Sequence, residues 1–460
     1  MKKKLLKIFA IIFCATLFLT GCATVSDVKD NNGDKIYFAE PVYFEGQVAK
    51  VGDYLYYGNG YGDITTDAFN YSNEKEYAYL SRVNLSELTF EEDVLDKNYK
   101  NTTPQEVERV NGDKVVGYAN QEMYAFGEYL YFTSANEHKT NTMLNDYTRI
   151  SLFRVKFNGD GLEELGTFTY SETSSISLQQ GSDGKYYFVV VCPTEVEESE
   201  EREDGEEQES KTFDIYSLRV GDKCGKVEKL VGEVNTAVVA DKTSQMRNVV
   251  YTYATESERL PNAVSAVDFA TGDIVSYDSA KDNAVTLVGR EGDIVFYSYA
   301  NEIYYKNVSN VGIFSATDNS RFYSAPSISN VEKMGNGYIF VGTSSLMYKS
   351  SLTATPEKLA STSEYSDILF ADGDYVYLSN DSSIMKVSVY DKEIENIVEG
   401  MTIISGECGY VDNNIYFYAQ LGALVDEDGN EVTNEEEKDL TYYMYQTDKM
   451  GNIQLLGKVK

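Results

Sequence analysis

The sequence predicts an all-β protein, a β-propeller of eight four-stranded blades, from three observations. A phrase of Gly, Asn or Asp followed by alternating Tyr, Phe, Ile and Val recurs along the chain about eight times. Its last four copies are spaced by roughly 37 to 44 residues, the length of one four-stranded blade. Between residues 36 and 460 no stretch keeps a helical period over three turns, while period-two alternation is common.

In chain order the copies are Gly52–Tyr57, Gly127–Phe132, Asp183–Phe188, Asn248–Tyr253, Gly292–Tyr297, Gly335–Phe340, Gly373–Leu378 and Asp412–Phe417. The leading Gly or Asp supplies the positive-φ turn of a hairpin. A short strand precedes the phrase, as at Ser327–Lys333 and Ser366–Phe370. A third strand follows it, at Tyr77–Val83, Ser151–Phe157, Asp214–Val220, Ala263–Phe269, Glu302–Asn307, Ser345–Lys349, Ser383–Val389 and Thr441–Thr447. A fourth, more polar strand comes after turns such as Asn158–Gly161 or Thr271–Asp273, and the last one is Ile453–Val459. The inner strands should be buried between neighbouring blades and the outermost should face water. Within a strand one alternate set of Tyr packs against the neighbouring blade and the other against the next sheet. A radial arrangement leaves only short, protected edges. Seven blades is the second count and discards one copy. A tandem pair of β-sandwiches would lack the four-strand repeat. Ring closure would rest on blade packing, or on a strand at Ile36–Ala39 joining the last blade.

The N-terminus reads as an address. Lys2, Lys3, Lys4 and Lys7 precede an apolar run from Ile8 to Leu19, then small residues. This is the three-part form of a secretory signal peptide, and the run is too short for a membrane span of about 20 residues. The stretch Leu19-Thr20-Gly21-Cys22 resembles the lipobox of bacterial lipoproteins. That resemblance implies cleavage between Gly21 and Cys22, a diacylglycerol on the Cys22 thiol and further acylation of palmitate type. The expected organisation is a signal peptide at 1–21, a lipidated tether at 22–35 and the propeller domain at 36–460. The expected location is the extracytoplasmic face of the cell membrane, with the bilayer as one partner through the acyl chains.

Charge narrows the other partners. The net charge is -34, and removing the four signal-peptide lysines leaves -38. Such a chain cannot release counterions from a nucleic acid, and it favours a monomer through self-repulsion. A hydrophobic content of 42% excludes a mostly disordered chain. Cys192, Cys224 and Cys408 remain after processing. Cys192 and Cys224 fall at opposite ends of one strand, too far apart for a disulfide, and all three read as buried thiols.

The phrase Gly373-Asp374-Tyr375-Val376-Tyr377-Leu378, with Ile384-Met385-Lys386-Val387 after it, looks like the Tyr-rich propeller domains of bacterial secreted lipoproteins. Those domains are themselves similar to the YWTD propellers of lipoprotein receptors. The resemblance spans nearly all of the mature chain and implies fold more than function. Ala266–Val275 is similar to the quinoprotein-like blade phrase, whose repeats carry a docking Trp; Trp 0 here departs from it.

Residues for chemistry are few. The one histidine, His138, sits in a polar stretch between two strands of the second unit, and a Ser-His-Asp site needs such a base. One His and three scattered Cys do not make a zinc site. Ser182-Asp183-Gly184 lacks the Trp of an Asp-box and reads as a turn. Asp426, Asp428 and Asn430 are the calcium candidates, but Gly429 is the fourth residue of that stretch, where an EF-hand loop has glycine at the sixth. A hairpin tip is the ordinary reading of that stretch. Glu195–Glu209 is nearly all Glu around Arg202, a solvated insertion or a tentacle for a cationic partner. Thr89–Asp113 is a second insertion, and Tyr61, Tyr71 and Tyr99 are loop tyrosines free to stack on a sugar.

No catalytic residue and no cofactor are expected. The functional expectation is a lipid-anchored, non-enzymatic module that binds a protein, peptide or glycan at the cell envelope. The alternative is a carboxylate-based glycan hydrolase or lyase, which needs two inward-facing acids in an axial funnel, one of them with a raised pKa. A transporter solute-binding lipoprotein shares the anchor but needs long helices.

Overall fold

The computed structural model describes residues 28–29, 33–44, 48–59, 79–85, 108–109, 123–135, 149–169, 171, 174–194, 212–253, 264–277, 285–310, 314, 320–403, 408–420 and 442–458. Among them the chain is all-β, with no α-helix, and its strands form seven antiparallel sheets. No helix among the described residues is long and apolar enough to cross a membrane.

The sheets hold eight successive units. Unit 1 runs Val48–Val51, Tyr54–Asn59, Tyr79–Asn84, Glu108–Arg109. Unit 2 runs Met123–Gly127, Tyr129–Ala135, Arg149–Lys156, Glu163–Thr169. Unit 3 is Ser175–Gln180, Tyr186–Pro193, Phe213–Val220 and the first half of Glu228–Val239. Unit 4 takes the second half of that strand, then Asn248–Tyr253, Val264–Asp268, Ile274–Tyr277. Unit 5 is Thr286–Glu291, Ile294–Tyr299, Glu302–Asn307, Arg321–Tyr323, and unit 6 is Ile328–Met334, Gly337–Gly342, Ser345–Lys349, Glu357–Ser361. Unit 7 is Asp367–Asp372, Tyr375–Asn380, Ser383–Ser388, Ile394–Glu399. In unit 8, Thr402–Ile403 and Gly409–Val411 both pair Asn414–Gln420, followed by Tyr442–Asp448 and Ile453–Lys458. Each copy of the repeated phrase supplies the second strand of its unit, and the expected third strands fall within about two residues of the observed ones.

Period-two alternation explains why second strands are so apolar. In unit 5, Val295 and Tyr297 join unit 4, while Phe296 between them joins unit 6. In unit 3, Phe188 and Val190 face unit 2, and Val189 and Val191 face unit 4. In unit 8, Ile415 and Phe417 face unit 7, whereas Tyr416 and Tyr418 share a cluster with Val48, Leu55 and Tyr57 of unit 1. A strand buried on both faces cannot show polar alternation, so it reads as a continuous apolar run. Each such aromatic or aliphatic side chain contributes roughly 1.5–3 kcal/mol on burial.

Three expectations need correction. The N-terminal strand, Phe38–Phe44, pairs Met123–Gly127 of unit 2 rather than the last unit. Phe44 enters the unit 1 cluster, and the Phe38 ring meets Phe157 edge-on at 5.7 Å, which fixes that choice. The first strand of a unit is not its most buried. Ile328–Met334 and Asp367–Asp372 are partly exposed, and burial peaks in the second and third strands. An innermost strand has a neighbour on only one edge, so its side chains keep water. Third, Cys224 is only half-buried; Cys192 and Cys408 are buried, and all three thiols are free.

Antiparallel order gives each unit two distinct ends. The connections from first to second and from third to fourth strands lie at one end, here the turn side. Second-to-third connections leave from the other. The turn sides touch at successive joints. Arg82 of unit 1 donates to the Phe157 carbonyl of unit 2 at 3.0 Å. Lys392 of unit 7 pairs Glu357 of unit 6 at 2.7 Å, and Lys50 of unit 1 pairs Asp412 of unit 8 at 2.8 Å. The turn sides therefore lie together on one face of the molecule.

Candidate functional site

A cavity of about 200 Å3 opens on the turn side between units 2 and 3. It is lined by Tyr37, Phe126, Gly127, Tyr129, Tyr131, Gly221 and Asp222. The lining comes from the residue before the N-terminal strand, from the first hairpin of unit 2 and from the turn after Phe213–Val220. Gly127 takes φ 64°, which turns the hairpin so that Phe126 and Tyr129 flank it.

The walls are held rigidly. The Arg154 guanidinium lies 4.2 Å above the Tyr129 ring. It also donates to Glu163 Oε2 through Nε at 2.8 Å and to the Gly221 carbonyl through Nη1 at 2.8 Å. Lys156 pairs Glu128 at 2.8 Å across the same hairpin. The Phe126 ring packs on Tyr186 at 4.7 Å. Tyr131 is fully buried and its hydroxyl has no hydrogen-bond partner within bonding distance. Burial pushes that hydroxyl's pKa up, against the pull of the nearby Arg154. Tyr37 is 63% exposed and forms a loose outer wall. The site thus offers aromatic faces, one buried phenol and the rim carboxylate of Asp222. Such a set suits the face of a sugar ring or an ammonium group.

It offers no nucleophile beside a base. Cys224 is close to Arg154, but burial raises the pKa of its thiol despite the guanidinium, so it stays protonated and weakly nucleophilic at neutral pH. Cys192 is buried and pushed up to about 12, again by desolvation.

The acid that comes nearest to the carboxylate-enzyme expectation is Glu291, at the end of the first strand of unit 5. Burial, then the negative charge of Asp241, pushes its carboxyl from 4.5 up to about 7. Asp241 itself is engaged with the backbone. It accepts from Thr243 and Ser244 amides at 2.6 and 3.0 Å and from the Gly292 amide at 2.5 Å. The carboxylate beside Glu291 thus holds a turn; in unit 7 burial, then the charge of Asp381, also raises the carboxyl of Asp367.

Gly21, Cys22, Asp426, Asp428, Asn430, His138, the acidic stretch 195–209 and Tyr61, Tyr71 and Tyr99 lie outside the described residues. Among the described residues no cluster of three or more His, Cys, Asp or Glu is placed to hold a metal. Sequence reasoning missed the cavity because its walls come from segments far apart in the chain. Arg154, an arginine at a buried strand position, was the available signal.

The strands define an all-β assembly of antiparallel sheets similar to β-propellers. No family model matches the chain, and no curated relative matches it in sequence. In fold it is similar to Sqt1 of Saccharomyces cerevisiae, 9% identical with TM-score 0.41 over 92% of this chain and 98% of that one. It is also similar to the β-propeller domain of the Trilobed protease from Pyrococcus furiosus, 9% identical with TM-score 0.36 over 91% and 99%. A puromycin-hydrolyzing peptidase of Mycobacterium tuberculosis is 10% identical with TM-score 0.40, over 82% of this chain and 58% of the peptidase. The chain spans little over half of that peptidase's length.

Proposed function

We propose that the chain is a lipid-anchored extracytoplasmic propeller of eight blades that binds a glycan, peptide or protein at the cell envelope and performs no reaction of its own. The blade count follows the eight copies of the phrase. The reading of a closed ring is supported by the shared core of units 8 and 1, with Tyr416 and Tyr418 packed among Val48, Leu55 and Tyr57. Cys22 carries the anchor. The observation that carries the binding reading is the cavity between units 2 and 3, with its braced aromatic walls and rim carboxylate. Function carried by turns on a rigid strand scaffold is common in such folds.

Glycan and peptide arrays probed with the mature chain test this. Tyr37→Ala and Asp222→Asn should each abolish the array signal and leave the denaturation midpoint unchanged. Retention of the signal in both variants would remove the cavity from the proposal. A second reading, a carboxylate enzyme, is favoured by the raised acids Glu291 and Asp367, of which Glu291 is pushed up to about 7. Turnover of an envelope glycan that Glu291→Gln abolishes would replace the binding reading with it.

A further inference from the structure

The segment by which the N-terminal chain enters the domain and the exposed apolar side chains lie on the same side of the molecule. Val28 is buried, its carbonyl accepts from the Ile36 amide at 3.3 Å, and Lys29 bridges Lys35. This small hairpin packs on the first turn of unit 1. A Cβ placed on Gly52 would come 2.7 Å from Ile36 Cδ1 and 3.6 Å from Val28 Cγ1. The chain therefore leaves the domain on the turn side. Cys22 is only six residues before Val28, a reach of about 20 Å when fully extended.

The large apolar side chains that stand exposed gather at the same end. Tyr390 is 73% and Met450 80% exposed, each within a third-to-fourth turn. Tyr375, Ile394 and Ile274 are exposed at the first positions of strands that leave the turn side. Tyr37 is exposed beside Gly127. Among the described residues Tyr43 is the one such side chain at the opposite end, where Phe44 pairs Met123. The Tyr390 hydroxyl donates to Asp374, which keeps the ring raised at the surface. Lys449 joins Asp372 and Asn413 next to Met450, so units 7 and 8 form one surface that Lys50–Asp412 continues to unit 1.

From this arrangement we infer that the turn side rests on the bilayer. Tyr375, Tyr390, Ile394 and Met450 sit at the headgroup boundary, and the second-to-third connections point away from the membrane. Tyrosine suits that boundary, with an apolar ring and a polar tip. The partner is a zwitterionic phospholipid surface, since a net charge of -34 opposes an anionic one. This rests on the anchor at Cys22 for proximity, and on the exposed side chains for which face turns inward. A ligand of the cavity between units 2 and 3 would then be presented from the membrane side.

The test uses the full chain, made in a lipoprotein-processing bacterium and reconstituted in phosphatidylcholine–phosphatidylethanolamine vesicles with nitroxide-labelled headgroups. In a Cys224→Ser background, Tyr390→Cys and Met450→Cys each carry an NBD label on the turn side. Ser344→Cys carries it in the exposed second-to-third turn of unit 6. The labels at 390 and 450 should lose most of their emission, and the label at 344 should keep its own. Equal quenching at the three sites, or quenching confined to 344, overturns the orientation. Intact mass reads the anchor separately. A diacylglyceryl adduct on Cys22 with no difference between labels ends the orientation and keeps the anchor. Selective quenching with an unmodified Cys22 ends the anchor and upholds the orientation. If the chain dimerises through this face in vesicle-free solution and the labels are not quenched in vesicles, the patch belongs to a second copy, which also overturns the inference.

Discussion

Two joints between units do the same work with opposite chemistry. Where unit 4 meets unit 5, the turns clamp each other through polar groups. Arg290 is 1% exposed in its side chain and donates to the Asn248 carbonyl at 2.8 Å, the Met246 carbonyl at 2.9 Å and the Gly292 carbonyl at 2.9 Å. Asp293 accepts from the Gln245 and Met246 amides at 2.9 and 3.0 Å, and Asp241 accepts from the Gly292 amide. Where unit 7 meets unit 8, rings are stacked instead. Phe370 lies 3.7 Å from Tyr410 and 4.3 Å from Tyr377, both near-parallel, and the Lys449 ammonium caps the three rings. Both joints place a cation at the turn side. In the first it is the centre of the network, and in the second it is a cap. A buried charge that satisfies three carbonyls cannot be removed cheaply, whereas a half-exposed one on a packed stack can.

The largest effect should therefore come from Arg290→Met. Burial already pulls this guanidinium down to about 10, against the attraction of Asp293 and Asp241, so it stays charged at neutral pH. Its loss leaves carbonyls and the Asp293 carboxylate without their cation. The expected destabilisation is about 3–5 kcal/mol, read as a lowered urea midpoint with unchanged slope. An unchanged midpoint would mean that the rings and aliphatics of the joint suffice. Tyr410→Ala at the stacked joint should cost about 1 kcal/mol from the lost ring pair, plus the area it covers on Phe370. A double-mutant cycle with Phe370→Leu should show coupling of about the same size.

The polar joint should also report pH, through Glu291. Its carboxyl titrates near 7 in the fold and near 4.5 when unfolded, so the folded chain binds the extra proton between these values. Stability is then greatest below the lower value and falls as pH rises toward 7. Glu291→Gln should flatten that decline and raise the urea midpoint at pH 8 more than at pH 5. The groups facing it are Asp241, Glu332 and Lys333, the last through both its amide and its charge. An unaltered profile in the variant would assign the decline to another acid.

How much of this was legible in the sequence follows from the same contrast. The stacked joint was half visible, because Tyr375–Leu378 and Ile415–Phe417 alternate in the repeated phrase, and burial on both faces makes such runs apolar. The polar joint was not. Arg290 and Glu291 end a strand before a Gly-Asp turn and look like solvent-facing residues, and nothing local shows that the 241–246 turn folds over them. Unit 4 was faint for another reason. Its first strand is continuous with the last strand of unit 3, and the crossover falls at Gly232-Glu233, with Glu233 at φ 58°, inside one unbroken strand and with no polar turn segment to mark it. Asp214 holds that crossover by accepting from the Glu233 amide at 3.2 Å and from Lys229 at 2.6 Å. The cavity was the least legible feature, since Tyr37, Tyr129 and Asp222 meet only after units 2 and 3 are packed.

The smallest expected effect falls on the cap. Lys449 donates to Asp372 and, at 3.2 Å, to Asn413, with its ammonium 5.3 Å from the Tyr410 ring. Burial works to lower its pKa, but the bonds to Asp372 and Tyr410 hold it above its usual value, so it remains charged through neutral pH. The side chain is 23% exposed and Asp372 47%, so water and salt screen the pair. Lys449→Met keeps most of the aliphatic contact with Phe370 and leaves Asp372 free to be solvated, a cost of about 0–1 kcal/mol. Raising ionic strength to about 1 M shortens the screening length to roughly 3 Å and should erase what difference there is. At the polar joint the same salt should leave the Arg290→Met deficit nearly intact, because its lost partners are buried carbonyls. If Lys449→Met cost as much as Arg290→Met, the ammonium would be the centre of the stacked joint, and the distinction between the two joints would fall.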